Sequence, residues 1–418
     1  MSRKKRTSIA DTRRATAFII ASCAIAIAIG YRPGGFVGAG PDPLFAAPIA
    51  ATPKHSDPNL DAVFAKIPGG NIAPCQAIAD PYPEFNGIAV DPVNNLVVMS
   101  DDNLKSLIVY DRRSFSADPS LATRPLGIIK GANTYISAAA GVALDPSHHE
   151  IYTAENDIGD DVAAFPYTAK GDYRARALAV PHGSYGVAIS GKRNELAVSV
   201  QQNSQIVIYR LGAKGAQPPR REIRGLKTEM ADPHGLAWDD QHDELVVANH
   251  GNWSRGFWDV DYNGGGQYRP PSIEAFSAEA RGDTAPLRVI QGSATRLNWP
   301  FGLSVDPIHN EIAVANAGDH SVLIFARGAH GNAAPIRILK GPKSEIGIPM
   351  SVAFDPAHDE LWVANLGHTA LVFDRTAAGD SAPKRIIRNA PAGTAIANVG
   401  IPMSIAYDSK RDQLLVPN

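Results

Sequence analysis

The sequence predicts an all-β protein that is built from repeats of a four-stranded antiparallel sheet. Residues 301–341 show the unit most clearly, with the short apolar runs GLSVD, EIAVAN, SVLIFA and PIRILKG separated by turns rich in Asp, Pro, Asn and Gly. Each run is too short for an ordinary helix and is rich in β-branched residues, which is typical of strands. Three short connections between four strands describe an antiparallel meander.

The first strand of the unit recurs seven times, as NGIAVDP, AGVALDP, YGVAISG, HGLAWDD, FGLSVDP, MSVAFDP and MSIAYDS. A second strand follows each copy, but the seventh copy stops after two strands, at Asn418. Residues 61–80 align without a gap with residues 322–341 and supply the two missing strands. An open array would expose sheet edges, whereas a closed ring would not. We therefore expect a seven-bladed β-propeller over residues 61–418, with its last blade shared between the N-terminal and C-terminal segments.

The repeats resemble those of the NHL and YVTN families of β-propellers. The NHL-like residues are GIAVD followed by NNLVV, and the YVTN-like segments are VANAGDHSVLIF and VANLGHTALVF. The resemblance implies a propeller but no particular activity, because propellers host many functions. The sequence contains no GxSxG, HExxH, CxxC, Walker or GxGxxG motif.

Residues 1–39 predict a signal peptide or an N-terminal membrane anchor. A basic segment ends at Arg14, and residues 15–29 carry no charge, a length that suits a signal-peptide core better than a spanning helix. Residues 40–60 are rich in Pro and Ala and are expected to form a linker. We expect a periplasmic or secreted protein, with a membrane-anchored protein that faces away from the cytoplasm as the alternative.

The charge distribution argues against nucleic acid as a partner. Residues 1–39 hold seven of the 40 basic residues and one of the 42 acidic residues, so the remainder of the chain is acidic. The expected partner is a small ligand or a protein. We expect a monomer that touches a membrane only if residues 1–39 act as an anchor.

Strand topology predicts which face of the ring carries the function. The connections between strands two and three share a face with the starts of strand one, and they include a long insertion at residues 250–272. This loop-rich face is the expected binding face. The candidate binding residues there end strand two, open strand one or belong to the insertion: Glu155, Asn249, Asn316, Asn365, Asn418, His234, Trp253 and Trp258.

Two interpretations of the residues that end strand two stay open. Their oxygen atoms could surround the channel and bind Ca²⁺ or Mg²⁺, or each side chain could cap its own turn. Within the insertion, Asp259, Asp261 and Asn263 match the first half of a calcium loop, although Pro270 stands where such a loop has Glu. Ca²⁺ and Mg²⁺ are therefore candidate cofactors, and neither is assigned.

The leading hypothesis is a non-catalytic binding propeller, and the alternative is a metal-dependent lactonase or lyase at the channel mouth. The chain is similar in kind to the streptogramin lyases, related propellers that place a His at the start of a strand and a Glu at the end of strand two. His234 and Glu155 occupy such places and would be the catalytic residues of an enzyme. Those lyases use pairs of each residue, whereas this chain has one of each, so enzymatic activity stays undecided.

Overall fold

The computed structural model describes residues 81–394, except residues 157 and 252–268, together with residues 406–408, 410 and 413–415. These residues form strands and turns, with five short 3-10 helices at Ala132–Thr134, Leu226–Thr228, Ser293–Thr295, Ala317–Asp319 and Pro342–Ser344. In this part of the chain, no helix has the length and apolar character needed to cross a membrane.

Six four-stranded antiparallel sheets, the blades, follow one another along the described chain. Blade one comprises β1 Phe85–Asp91, β2 Leu96–Asp101, β3 Ser106–Asp111 and β4 Gly127–Ile129. Blade two comprises β5 Ala139–Asp145, β6 Glu150–Glu155, β7 Asp161–Pro166 and β8 Arg176–Ala179. Blade three comprises β9 Ser184–Ser190, β10 Glu195–Val200, β11 Gln205–Arg210 and β12 Arg221–Arg224.

The second half of the ring repeats this order. Blade four comprises β13 Pro233–Asp239, β14 Glu244–Asn249, β15 Ser272–Ser277 and β16 Arg288–Gln291. Blade five comprises β17 Pro300–Asp306, β18 Glu311–Asn316, β19 Ser321–Ala326 and β20 Arg337–Leu339. Blade six comprises β21 Pro349–Asp355, β22 Glu360–Asn365, β23 Thr369–Asp374 and β24 Arg385–Arg388. A hairpin of β25 Ala406–Asp408 and β26 Gln413–Leu415 follows as a separate two-stranded sheet.

The expectation of seven blades is wrong, because six blades close the ring. The first strands of consecutive blades pack side by side, and β1 of blade one packs against β21 of blade six in the same way. One apolar core joins these two blades and includes Phe85 and Met99 from blade one and Trp362 and Val372 from blade six. No position is left between them for a seventh blade. The segment 61–80, which the sequence alignment assigned to that blade, lies outside the described residues.

A repeated contact between Arg and Glu side chains, here called the arginine clasp, shows that the interface between blades six and one resembles the other interfaces between neighbouring blades. The Glu that opens strand two binds an Arg from strand four of its own blade, as Glu360 binds Arg385 at 2.7 and 3.0 Å. An Arg after strand three of the next blade reaches the same Glu, at 3.1 Å for Arg327 and Glu244, 2.9 Å for Arg375 and Glu311, and 3.0 Å for Arg112 and Glu360. Blade one therefore contacts blade six as blade six contacts blade five.

The glycine of the repeated GIAVD motif lets the innermost strands approach each other at the centre of the ring. At Gly186, an added Cβ would lie 2.4 Å from the backbone oxygen of His234 and 2.5 Å from Leu236 Cδ2. The channel narrows to a cavity of about 60 Å³ that is lined by the first strands of all six blades. That volume has room for a few water molecules at most. A larger ligand must therefore bind at a mouth of the channel rather than inside it.

The turns between strands one and two begin with Asp-Pro in four of the six blades and with Asp239-Asp240 in blade four, and they are here called the Asp-Pro turns. They lie at the opposite end of strand one from the loop-rich face. Their histidines each contact the Asp of the same turn, with ring Nδ1 to carboxylate distances of 2.6 Å for His148, 2.9 Å for His242, 2.7 Å for His309 and 2.9 Å for His358. These contacts explain why His recurs in the turns, because the ring fastens the turn to a buried carboxylate.

Candidate binding site at the start of blade four

The residues that open strand one meet at the mouth of the channel on the loop-rich face. Tyr185 Oη donates to Asn86 Oδ1 at 2.8 Å, which joins blade three to blade one across the ring. The Tyr185 ring centroid lies 4.5 Å from that of His234 and 5.8 Å from that of Phe301. These side chains pack together at the mouth, and His234 is buried there, with 3% of its surface exposed.

The residues that end strand two hold the loop that leads into strand one of their own blade, here called the approach loop. Glu155 Oε2 accepts a hydrogen bond from the Ala138 backbone N–H at 2.9 Å, and it also bonds the Ser137 backbone. Asn316 Oδ1 accepts from the Asn298 backbone N–H at 2.6 Å. These bonds satisfy backbone groups that would otherwise be buried without partners.

The same arrangement occurs in the neighbouring blades. Asn365 Nδ2 donates to the Glu345 backbone oxygen at 3.0 Å, and Asn249 Oδ1 accepts from the Ala231 backbone N–H at 3.3 Å. The four described side chains thus each bond the approach loop of their own blade, and capping of the turn after strand two stays a prediction. Ligand binding by them stays a prediction, and Asn418 lies outside the described residues.

Asp101 holds the approach loop of blade one in the same way, although it is not among the candidate residues predicted from the sequence. Its Oδ1 accepts from the Glu84 backbone N–H at 2.8 Å. Asp101 pairs with Phe85 in the sheet, just as Asn249 pairs with Pro233 in blade four. The sequence signal was present, since the carboxylate follows the apolar run VVMS directly.

A buried cluster of Asp232, His234 and His250 lies at the start of blade four. The two imidazole rings stack, with centroids 3.4 Å apart and an angle of 18° between their planes. Asp232 Oδ1 lies 3.6 Å from His234 Nδ1, and Asp232 Oδ2 lies 3.6 Å from His250 Nδ1. His250 is 5% exposed, and its Nε2 has no hydrogen-bond partner among the described residues.

Sequence reasoning found His234 but missed its two partners. The pairing of Pro233 with Asn249 places the residue after strand two beside the residue before strand one. The available signal was therefore an Asp-Pro-His at the start of one strand followed by a His directly after the next strand.

Gln201 of blade three links this cluster to blade two and determines which ring nitrogen of His234 carries the proton. Asn156 Nδ2 donates to Gln201 Oε1 at 2.7 Å, so the Gln201 amide nitrogen faces His234 Nε2 and donates to it. The ring proton of His234 is then on Nδ1, which donates to the Asp232 backbone oxygen at 3.0 Å. Burial, reinforced by the neighbouring His250, lowers the pKa of His234 to about 3, and burial lowers the pKa of His250 to about 3. Both rings are neutral at physiological pH.

Two strained residues aim their side chains at the histidine pair. Asp232 has φ 57° and Trp299 has φ 52°, and each precedes a proline, where L-residues strongly prefer extended backbone. The Trp299 ring lies 5.7 Å from the His250 ring at an angle of 17°, and Trp299 is 50% exposed. Such strain costs on the order of 1–3 kcal/mol per residue and clusters at functional sites.

Glu274 is a second residue that sequence reasoning missed. It lies in the middle of β15, where the other third strands have an apolar side chain, such as Leu323 or Leu371 at the equivalent position. Its Oε1 accepts from Ser272 Oγ at 3.1 Å, and the side chain is fully buried. Burial raises the pKa of Glu274 to about 8. Comparison of the repeats column by column would have shown this misplaced carboxylate.

Glu155 also has a raised pKa. Burial raises it to about 7 and outweighs the opposing hydrogen bonds from Ser137 and Ala138. Its second oxygen, Oε1, is buried and has no hydrogen-bond partner within the part of the chain that the structure describes. A carboxyl group that titrates near neutral pH can exchange protons, which is a property of catalytic acids and bases.

Both ends of the insertion are fastened at the start of blade four. The Gly251 backbone N–H donates to Ala231 O at 2.9 Å, and the Arg269 N–H donates to Gly251 O at 2.8 Å. The insertion therefore leaves and rejoins the ring beside the approach loop that carries Asp232. The candidate residues within it, which are Trp253, Trp258, Asp259, Asp261 and Asn263, lie outside the described residues.

Neither a protein family model nor a curated protein sequence matches this chain. Among solved structures, it is similar to Kuenenia stuttgartiensis hydrazine synthase, with 13% identity, a TM-score of 0.47, and coverage of 74% of this chain and 100% of that chain. It is also similar to a chain of a nidogen/laminin complex, with 13% identity, a TM-score of 0.44, and coverage of 70% and 88%. Membership of the NHL or YVTN family is not confirmed. The propeller fold is established by the ring of six sheets itself.

Proposed function

We propose that this protein is an exported β-propeller that binds a ligand or a partner protein at the loop-rich mouth of its ring and performs no chemistry there. The observation that carries the proposal is the pair of strained residues, Asp232 and Trp299, which approach one histidine pair from the starts of adjacent blades. Other described residues with positive φ lie in ordinary turns, but Asp232 and Trp299 are the two among them that precede a proline, where this conformation is most strained.

The chemistry of the mouth favours a planar or polar ligand. Trp299 presents half of its surface to solvent and stacks parallel to His250 on its inner side. An exposed aromatic face is a stacking surface, and buried polar groups below it supply orientation. The cavity of about 60 Å³ at the centre of the ring is too small for an organic ligand, so contact at the mouth is the arrangement that the geometry supports.

A thermal-shift screen of the purified protein against a library of small metabolites that includes lactones tests the proposal. A ligand that stabilises the wild type should lose at least about tenfold in affinity with Trp299→Gly, because the stacking surface disappears. The same substitution should change the stability of the ring little, because relief of the positive φ offsets much of the packing that the half-buried Trp299 ring loses. Ile308→Ala is the matched control, because Ile308 is 66% exposed on the face of the Asp-Pro turns.

The proposal fails if ligands of the wild type bind Trp299→Gly unchanged. It also fails if Ile308→Ala weakens binding as strongly, because the binding surface would then be the other face.

A metal-dependent lactonase or lyase is the competing function, and one observation favours it. The chain Asn156–Gln201–His234 connects the residue after Glu155 to the histidine cluster by hydrogen bonds. Hydrolysis of lactones by the wild type, lost in both His234→Ala and Glu155→Gln with the ring intact, would establish this function in place of simple binding.

Export is the part of the proposal that rests on residues 1–39 alone. The basic segment and the uncharged run after it support secretion to the periplasm or the medium. N-terminal sequencing of secreted protein should begin near Gly40. Recovery of chains that start at Met1 from a membrane fraction would favour the anchored alternative.

A further inference from the structure

We propose that Asp232, His234 and His250 form a binding site for one divalent transition-metal ion of the zinc class. The three residues belong to a single blade, at the start of strand one and just after the end of strand two. One ligand atom from each residue lies within 4.8 Å of the others. The site stands whether or not the mouth also binds an organic ligand or a partner protein.

The spacing of the cluster fits a shared cation better than it fits hydrogen bonds. Each carboxylate oxygen of Asp232 is 3.6 Å from the Nδ1 atom of one histidine, which is beyond the usual hydrogen-bond distance. Two ligands that each lie about 2.0–2.1 Å from a tetrahedral metal are separated by roughly 3.3 Å. The carboxylate thus stands at nearly the required distance from both rings.

The cluster also brings two neutral imidazoles together in a way that an ion would stabilise. The two rings stack against each other, and both are buried. Burying polar groups costs free energy unless they find partners. Coordination through Nδ1 would give both rings a charged partner.

Metal binding requires two local rearrangements. The rings are nearly parallel, so they must tilt for both Nδ1 lone pairs to point at one ion. The His234 proton must move from Nδ1 to Nε2, where the Gln201 oxygen can accept it once the amide turns and loses its bond from Asn156 Nδ2. Gln201 would then be the outer partner that orients a metal-bound histidine.

The donor set selects the class of metal. Two imidazoles and one carboxylate suit zinc, cobalt, nickel or iron, whereas calcium and magnesium prefer oxygen ligands alone. Three protein ligands leave at least one coordination position for water or a ligand. The cluster is therefore distinct in chemistry from the calcium-loop pattern at Asp259, Asp261 and Asn263.

The test is titration of the purified, chelator-treated protein with Zn²⁺ by calorimetry, and with Co²⁺ by visible absorption. The wild type should bind one ion tightly. His250→Ala and Asp232→Asn should each weaken binding more than about 100-fold, because even outer partners of metal ligands contribute 10–100-fold. Gln201→Leu should weaken binding by about 10–100-fold. His242→Ala is the matched control, since this histidine contacts Asp239 in a turn of the same blade, and it should bind as the wild type does.

X-ray absorption of the zinc-loaded wild type keeps the test decisive if a variant fails to fold. Two imidazole nitrogens and at least one oxygen in the first shell are expected. The proposal is overturned if the wild type binds no ion, if fewer than two imidazoles appear in the first shell, or if His242→Ala weakens binding as much as His250→Ala.

Discussion

Closure of the ring by six blades makes a sharp prediction about the pair Arg112 and Glu360. Arg112 is the cationic side chain that carries the arginine clasp from blade one to blade six, at 3.0 Å from Glu360 and 3.4 Å from Asp355. The side chains of Arg112 and Glu360 are 7% and 5% exposed. The perturbation is Arg112→Met, which keeps the apolar stem and removes the charge.

The magnitude follows from what remains around the glutamate. Removing one partner of a buried ion pair costs about 3–5 kcal/mol when the other is left alone. Glu360 keeps Arg385 at 2.7 and 3.0 Å. We therefore expect Arg112→Met to lower the free energy of unfolding by about 2–3 kcal/mol. The coupling between Arg112→Met and Glu360→Gln in a double-mutant cycle should be about 1–3 kcal/mol.

Urea unfolding of the four proteins in the cycle measures the coupling. The positive control is the cycle of Arg375→Met with Glu311→Gln, the same contact between blades six and five. Additivity within about 0.5 kcal/mol is expected for the non-contacting pair Arg112 and Glu311.

Zero coupling for Arg112 and Glu360, beside normal coupling for Arg375 and Glu311, would refute six-bladed closure. In a seven-bladed ring the repeat alignment would place Gln413 opposite Arg112, so Glu360 would not contact it.

Three further predictions concern the core, the centre of the ring and the buried acid. Gly186→Ala should lower the free energy of unfolding by about 3 kcal/mol, because its Cβ would meet the His234 backbone oxygen. Gly191→Ala is the control, since its Cβ would meet nothing within 4 Å, and it should be nearly neutral in urea unfolding. Burial raises the pKa of Glu274 to about 8 from 4.5, so its contribution to stability is full below pH 4.5 and is lost as pH rises through about 8. Glu274→Gln should remove this loss. The free energy of unfolding of the variant, relative to that of the wild type, should therefore rise by about 4 kcal/mol at most from pH 5 to pH 9. A difference that stays constant across that range would contradict the raised pKa. Trp362→Phe should cost about 1–3 kcal/mol, because Trp362 is fully buried in the core between blades six and one, and an unchanged unfolding free energy would contradict that core.

Much of the fold follows from local patterns in the sequence. The four-stranded unit, the antiparallel order and the innermost position of strand one all depend on alternation and on turn residues, which are local properties. His234 was found because strand topology alone assigns the start of strand one to a face.

The number of blades was not a local property. Seven copies of strand one are present, but six blades fill the circle, because the angle between blades depends on how side chains such as Met99 and Trp362 pack. The repeat alignment shows an Arg at the same place after strand three in Arg112, Arg327 and Arg375. Which glutamate each Arg contacts depends on how many blades close the ring.

The sequence by itself determined the class of fold, the repeating unit and the face on which His234 lies. Only the tertiary structure decided that Asp232 and His250 join it, because the pairing of β13 with β14 brings two chain segments together at one point. It also decided that the side-chain amides of Asn316 and Asn365 form hydrogen bonds with the approach loops, since those loops carry backbone groups that need partners when buried. Side-chain types set what a residue can do, and the environment that the fold builds around it selects among those possibilities.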